Sequence, residues 1–397
     1  MNKWNSYFLG DLGEITSSKR IFQREYVEAG LPFYRTKEIK ELANKEKVTS
    51  ELFISRSRYE EIKREFGVPS VGDLLITAIG TIGEVYIVDD EHEFYFKDGN
   101  ILWLKEFRNV NPYFLKYLLF SLIDDLNNLS SGSTYKALPI AKLKQYKILL
   151  PPLEEQKRIA EILDKADRIR RKRQETIRLT EELGRSIFLD MFGDPVKNPK
   201  GWEMKKLSEL TDIENGDRSS NYPSGSDILN EGILFLSTKN IVNSSLNLEQ
   251  KQYISKEKFN SLSRGKLKQG DIVITLRGTL GNCCIFDPSE DTAGFINAQL
   301  MIIRVKNDLN NDFLHTLMIS KPMNKYLQSL GTGAAVPQLT AQQIKNLDII
   351  HPPISTQQSF LAVKHRLIKL YHQNQKHFLE SENLFNSLLQ RAFRGEL

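Results

Sequence analysis

At 397 residues, with 40% hydrophobic and 26% charged side chains, the chain has ordinary globular composition and the length of two or three domains. A formal charge of +5 permits a nucleic-acid partner without requiring one. Met1-Asn2-Lys3-Trp4 lacks the apolar core of a signal peptide, and the most apolar run, Tyr113 to Ile123, is short and holds Lys116, so a cytoplasmic protein that crosses no membrane is expected. Cys283 and Cys284 are adjacent within a strand-like segment, a spacing that suits neither a disulfide nor a metal and fits buried thiols in a reducing compartment.

The chain then repeats itself. Trp4, Leu9, Leu12 and Ile15 return as Trp202, Leu207, Leu210 and Ile213, and the match continues through Gly72-Asp73 with Gly270-Asp271 and through Gln156 with Gln357. So long a period means two whole globular units, not a solenoid. Leu74 to Thr77 and Ile272 to Thr275 read as buried strands between Gly-Asp and Gly-rich turns. Asn111-Pro112-Tyr113 carries the cap and first-turn proline of a helix, and Asn311-Asp312-Phe313 is expected to serve likewise. Tyr146 to Leu150 and Leu347 to Ile350 read as closing strands, ended by Pro151-Pro152 and Pro352-Pro353.

After each Pro-Pro the period becomes helical. Ile159, Ile162, Ala166, Ile169, Thr176, Thr180, Leu183 and Ile187 predict a heptad seam, as do Phe360, Val363, Leu367, Leu370, His377, Ser381, Leu384 and Leu388. Glu154 and Glu155 suit the first helix N-terminus, and Ser355 with Gln358 predicts a capping box on the second. The expected organisation is a globular domain over 1–152, a helix over 153–193, a linker over 194–201, a second domain over 202–353 and a final helix over 354–397. The fold class is mixed α/β (α+β domains plus long helices), duplicated, with the helices pairing as an antiparallel coiled coil of pseudo-twofold symmetry.

Leu149 to Ala160, with its Pro-Pro-Leu-Glu-Glu-Gln core, and Gly193-Asp194-Pro195 followed by Trp202 closely resemble the specificity subunit of type I restriction-modification systems, across essentially the whole chain. The second helical region departs from the family wording at His351, Ser355-Thr356 and Phe360-Leu361. The resemblance implies that each recognition domain binds one half of a split, asymmetric double-stranded DNA site. It also implies that the coiled coil sets the spacer and docks two methyltransferase subunits, with restriction subunits as further candidate partners. S-adenosylmethionine, Mg and ATP would be held by those partners and no cofactor by this chain.

Where the copies agree, scaffold is expected; where they differ, base reading is, since identical readers would give a symmetric site. Lys19, Arg20, Gln23 and Arg24 thus face Arg218, Asn221 and Tyr222, while Ser133, Thr134, Tyr135 and Lys136 face a stretch ending at Gln338. A solvated loop accounts for any one of them equally well. The Gly loops bearing Gly80 and Thr81, and Arg277, Gly278 and Thr279, suit either backbone approach to phosphate or tight turns with positive φ. Arg35 and Lys37, and Lys239 and Asn240, follow strands and are expected to anchor phosphates, with solvation of the strand ends as the alternative. Arg56, Arg58 and Arg64, with Lys256, Lys258 and Arg264, read first as a solvated helix face. The basic run Arg168 to Arg173 reads as the wet face of the coiled coil or as a contact to spacer DNA or a partner; Arg170, Arg171, Arg173, Phe188, Phe192 and Phe393 are the partner-binding candidates.

Catalytic patterns are missing. Both Pro-Pro pairs lack the Asp or Asn and the aromatic residue of an adenine methyltransferase, there is no phosphate-binding P-loop, and the six histidines lack metal spacing. A non-catalytic subunit is expected, against two alternatives: a stand-alone DNA-modifying enzyme and a scaffold without DNA function. The seam from Ile159 to Ile187 would span about 42 Å at roughly 1.5 Å per residue, enough for readers one DNA turn apart, about 34 to 36 Å. Inserting four residues into both helices is therefore expected to lengthen the spacer by about 6 Å, near two base pairs. Methylome sequencing that returned an unchanged spacer would sink the ruler.

Overall fold

The computed structural model describes residues 4–129, 137–288, 293–331 and 337–397. The chain forms two units, one of Met1–Glu175 with Gln375–Leu397 and one of Thr176–Asn374, so the division falls within both long helices. Each unit carries two four-stranded sheets and a two-stranded ribbon, and the second adds a short hairpin of Ile241–Val242 with Ser245–Leu246.

In the first unit the apolar run Leu74–Thr77 is buried on both faces and lies inside an antiparallel sheet, in the order Glu14–Thr16, Ile101–Lys105, Leu74–Thr77, Val85–Ile87. The other sheet is mixed: Tyr26–Val27, Phe53–Ile54, Leu31–Tyr34, then Tyr95–Phe96 parallel to Leu31–Tyr34. Asn5–Phe8 pairs with Lys147–Leu150 as the ribbon, Ser6 opposite Leu149. The second unit repeats the antiparallel sheet with Thr211–Asn215, Leu300–Val305, Ile272–Thr275 and Cys283–Ile285 and the ribbon with Met204–Lys206 and Asp348–Ile350, while its mixed sheet, Tyr253–Ile254, Ile233–Leu236, Gly294–Ile296 and Lys266–Leu267, keeps the parallel pair but takes its fourth strand on the opposite edge.

Side-chain alternation divides each antiparallel sheet between two cores. In the second unit Ile272, Ile274, Cys283, Met301 and Ile303 face a core completed by Phe313, Phe188, Phe192 and Phe360. Val273, Cys284, Leu300 and Ile302 face another, with Leu234, Leu236 and Phe286. In the first unit Leu74, Ile76, Leu102 and Leu104 face Phe114, Ile159, Leu163, Phe385 and Ala392, whereas Leu75, Ile101 and Trp103 face Tyr34, Phe94 and Phe96.

The helix Pro112–Ser121 begins as its sequence dictates, with Asn111 Oδ1 accepting from Phe114 N at 3.0 Å. Its counterpart, Asn311–Ile319, corrects the expectation by one residue: the cap is Asn310, whose Oδ1 accepts from Asp312 N at 2.8 Å. The long helices cover Leu153–Phe192 and Ile354–Phe393. Because the second starts at Ile354, Ser355 lies inside its first turn, and the capping box with Gln358 is not formed.

Within each unit the two helices run antiparallel, Arg170 meeting Glu382 and Phe385 in the first, Phe188 meeting Phe360 in the second. The seam differs from the predicted one at every other position. Ile159, Ala166 and Thr180 are buried as expected, but the inward neighbours are Leu163, Arg170, Ile177 and Gly184, while Ile169 and Leu183 are exposed. The second helix shows the same one-residue displacement, with Lys364, Tyr371, Phe378 and Phe385 turned inward and Leu370 and Leu384 exposed.

One buried side chain fastens each long helix to its domain. Gln156 accepts from Asn111 N at 2.9 Å and donates to the carbonyls of Pro151 and Asn109 at 2.9 and 3.2 Å. Gln357 does the same with Asn310 N at 2.9 Å and the carbonyls of Pro352 and Asp308 at 2.9 and 3.3 Å. Both are at most 1% exposed, so loss of the amide leaves backbone groups dry and unpaired. Gln357→Met is expected to destabilise the second unit by about 3 kcal/mol in urea unfolding; an unchanged midpoint would refute the clamp.

Candidate nucleic-acid interface

Strand register draws the non-repeating segments of each unit to one end of its sheets. In the first unit Thr16 lies opposite Trp103, Thr77 opposite Ile101 and Tyr34 opposite Phe96, so three strands finish around the short segment from Lys97 to Asn100. That segment is a hub of hydrogen bonds: Lys97 N donates to Tyr34 O at 2.9 Å, Gly99 N to Ser17 Oγ at 3.0 Å, and Asn100 O accepts from Ala78 N at 2.8 Å. The segment leaving Thr16 is tied there as well, with Ser18 Oγ donating to Phe96 O at 2.7 Å and Lys19 N to Tyr95 Oη at 2.7 Å.

Lys19 and Arg20 are exposed, Lys19 over the Phe66 ring and Arg20 paired with Asp98 of the hub at 2.7 Å. Gln23 and Arg24 lie in an exposed single turn, Arg24 over Phe22. Arg35 leaves its strand to cap the next helix, and its guanidinium contacts Glu38 and Glu51, each at 2.8 Å. These bonds raise the arginine above its ordinary pKa. Burial pushes the Glu38 carboxyl upward, but the Arg35 bonds outweigh it and hold the group below its usual value. Lys37 shares Glu51 at 3.4 Å. Both cations thus already have carboxylate partners.

The second unit builds the same end from different residues. Asn297 N donates to Leu236 O at 2.9 Å, Leu276 N to Gln299 O at 2.9 Å, and Arg218 to Ala298 O at 3.2 Å. Gly216 is required at this hub, since a Cβ there would stand 2.5 Å from Asn297 O. A cleft of about 360 Å3 opens between the turn from Asn215 to Ser219 and the pair Ser263 and Arg264. Arg264 follows its helix, Lys256–Ser261, instead of lying on it, so matching it to Arg64 of the other copy as part of a helix face concealed its place beside Arg218. Asn221 and Tyr222 are half-buried; Asn221 bonds Ser261 Oγ and Lys258, and Tyr222 packs edge-on against Phe235. Lys239 is exposed and has no ion-pair partner among the described residues. Asn240 is a correction: it is 4% exposed and spends its amide on Asn247 O, Gln250 O and Ser237 N, so it shapes the turn and offers nothing to a phosphate.

The Gly loops are tight turns closed by buried threonines. Thr77 Oγ1 donates to Thr81 O, and Thr275 Oγ1 to Thr279 O. Gly83 and Gly281 are packing positions, where a Cβ would strike Ile123 or Leu327. Gly80 and Gly278, at φ 79° and 80°, form exposed apices with Thr81 and Thr279. Beside the second apex Arg277 bridges to Gln338, Nε donating to Oε1 at 3.0 Å; in the first unit Ile79 and Ala137 occupy the matching bridge. Ser133, Thr134, Tyr135 and Lys136 lie outside the described residues.

The partner-binding candidates are corrected most. Arg170 and Arg171 turn inward onto Asp167, which is 4% exposed, with contacts of 2.7 and 2.8 Å. Arg170 also reaches Glu382 at 2.6 Å, Arg171 reaches Ala43 O at 2.9 Å, and Arg173 donates to His377 O. Phe188 and Phe192 are buried against Phe313 and Phe360, and Phe393 packs edge-on against Phe114. All six build the units themselves. No helix among the described residues is long and apolar enough to cross a membrane.

The chain belongs to the family of the type I restriction modification DNA specificity domain, whose model matches residues 1–180 and 199–380. It is 25% identical to the type I restriction enzyme MjaIX specificity subunit of Methanocaldococcus jannaschii, over 99% of this chain and 93% of that protein. A candidate type I specificity subunit of Haemophilus influenzae is 36% identical, over 40% of this chain and 38% of that protein. Among solved structures, the S subunit of the type I restriction-modification system of M. genitalium superposes with a TM-score of 0.58 at 14% identity, covering 99% of this chain and 96% of that one, which shows a shared fold.

Asp167 supplies a test of the inward ion network. Burial pushes its carboxyl pKa up, but Arg171 and Arg170 outweigh burial and hold it below the usual value. Its stabilisation is therefore present at neutral pH and lost as pH falls below about 4 and through the folded value. Asp167→Ala, which removes the carboxylate that Arg170 and Arg171 share, is expected to cost about 3 kcal/mol in thermal unfolding at pH 7, and Asp167→Asn to flatten the acid limb. A wild-type acid limb in Asp167→Asn would refute the assignment.

Proposed function

We infer that this chain is the DNA sequence-specificity subunit of a type I restriction-modification system, each recognition domain binding one half of a bipartite, asymmetric double-stranded DNA site. The observation that carries the reading is the convergence, within each unit, of the segments that fail to repeat onto one end of a sheet pair that does repeat. A shared frame with divergent polar loops gives two readers of one mode and different preference. Exposed Lys19, Arg20 and Arg24 in the first unit, and Arg218, Lys239, Arg264 and Arg277 in the second, supply the charge that DNA phosphates and base edges require.

The reading assigns no catalytic step to this chain. Methylation would be carried by two methyltransferase subunits docked on the helical regions, and cleavage by restriction subunits, with S-adenosylmethionine, Mg and ATP held by those partners in the cytoplasm. Because the phenylalanines and inward arginines are spent within the units, docking falls to the outward helix faces, which carry Ile169, Leu183, Leu370 and Leu384.

Exchanging residues 1–150 with those of a relative of different, known half-sites is expected to change one half of the methylated motif and leave the other. Methylome sequencing in which both halves changed, or in which the wild-type complex methylated no defined motif, would overturn the reading.

A further inference from the structure

We propose that Arg277 reads a guanine in the half-site of the second recognition domain, with Gln338 as its positioning residue. The inference rests on the DNA-recognition reading above and names a base and the side chains that select it.

Arg277 is exposed, yet its backbone is fixed. Its neighbour Leu276 is 4% exposed, donates to Gln299 O at 2.9 Å and accepts from Leu339 N at 2.9 Å. Gln338 stands next to Leu339, itself 3% exposed, so both side chains rise from anchored backbone across one β-bridge. The Nε–H of Arg277 is taken by Gln338 Oε1 at 3.0 Å. Its two terminal amino groups have no hydrogen-bond or ion-pair partner among the described residues. An arginine held at Nε retains the flat two-nitrogen edge that matches the O6 and N7 acceptors of guanine in the major groove. A phosphate needs only the charge, which the exposed Arg218, Arg264 and Lys239 of the same unit also supply.

The first unit gives the internal comparison. At the same bridge it has Ile79 and Ala137, each beside a buried residue, Ala78 at 1% and Leu138 at 3%. The frame is retained and the donors are absent. A side chain without donors suits the methyl group of thymine and gives guanine nothing, so one position of one frame serves two different preferences.

The test uses the complete complex of this chain with its methyltransferase partner, a DNA library randomised across both half-sites, and competition binding at two salt concentrations. For the wild type, one position in the second domain's half-site is expected to demand guanine. Arg277→Ala should relax that position by about tenfold or more and leave the other half-site unchanged. Arg277→Lys should fail to restore it, since a point charge cannot form the paired contact. Gln338→Ala should loosen the same position, and Gln338→Glu, which keeps an acceptor for Nε, should restore it. Uniform weakening over all sequences, with rescue by lysine and a shallower salt slope, would make Arg277 a phosphate contact and overturn the proposal. A relaxed position that is not guanine would overturn it too. Absence of any sequence preference in the wild-type complex would instead remove the function on which it rests.

Discussion

Everything outward in this protein depends on two buried glutamines. Gln156 and Gln357 stand one turn inside the long helices and satisfy, at no more than 1% exposure, the backbone at the entry to a domain helix and at the Pro-Pro joint. A glutamine amide has both an acceptor and donors, so one side chain closes a carbonyl and an N–H that would otherwise be stranded in an apolar interior. With that junction fixed, Phe114 and Phe313 can pack on helix aromatics, and the sheets beneath them inherit a defined position. Loop residues can then vary without disturbing the frame.

Several of these features were plain in the sequence because burial there follows composition. Leu74 to Thr77, the Pro-Pro joints, Asn111 as a cap and the two buried cysteines all announce themselves by residue type. The helix seam misled because hydrophobicity was the wrong guide to it. Ile169 is more apolar than Arg170, yet Arg170 turns inward, because Asp167 and Glu382 neutralise it and Phe385 receives its flat face. Gly184 turns inward where Leu183 was expected. Such partners are distant in sequence, Arg170 and Glu382 by 212 residues, so the pattern along a single helix cannot reveal them.

The same reason divides the candidate site. Arg20 and Arg218 were legible as surface donors because they fall where the copies disagree, and Arg277 because it heads a Gly loop. Asn240 was not legible as a structural amide, since its partners Asn247 and Gln250 come from the following turn, and only folding brings them within 3.1 Å. Arg35 resembled a free cation until Glu38 and Glu51 closed around it. Residue type indicates what chemistry a side chain offers; the fold decides whether that chemistry has already been used.

The adjacent cysteines carry a consequence of their own. Strand alternation sends Cys283 into the core shared with the helices and Cys284 into the opposite one. Burial raises both thiols, Cys284 to about 12, so neither is ionised while the sheet is closed. A thiol reagent can reach Cys283 only when the helix-side core opens, and Cys284 only when the other does. Two neighbouring sulfur atoms thus serve as separate clocks for the loosening of the two faces of a single sheet.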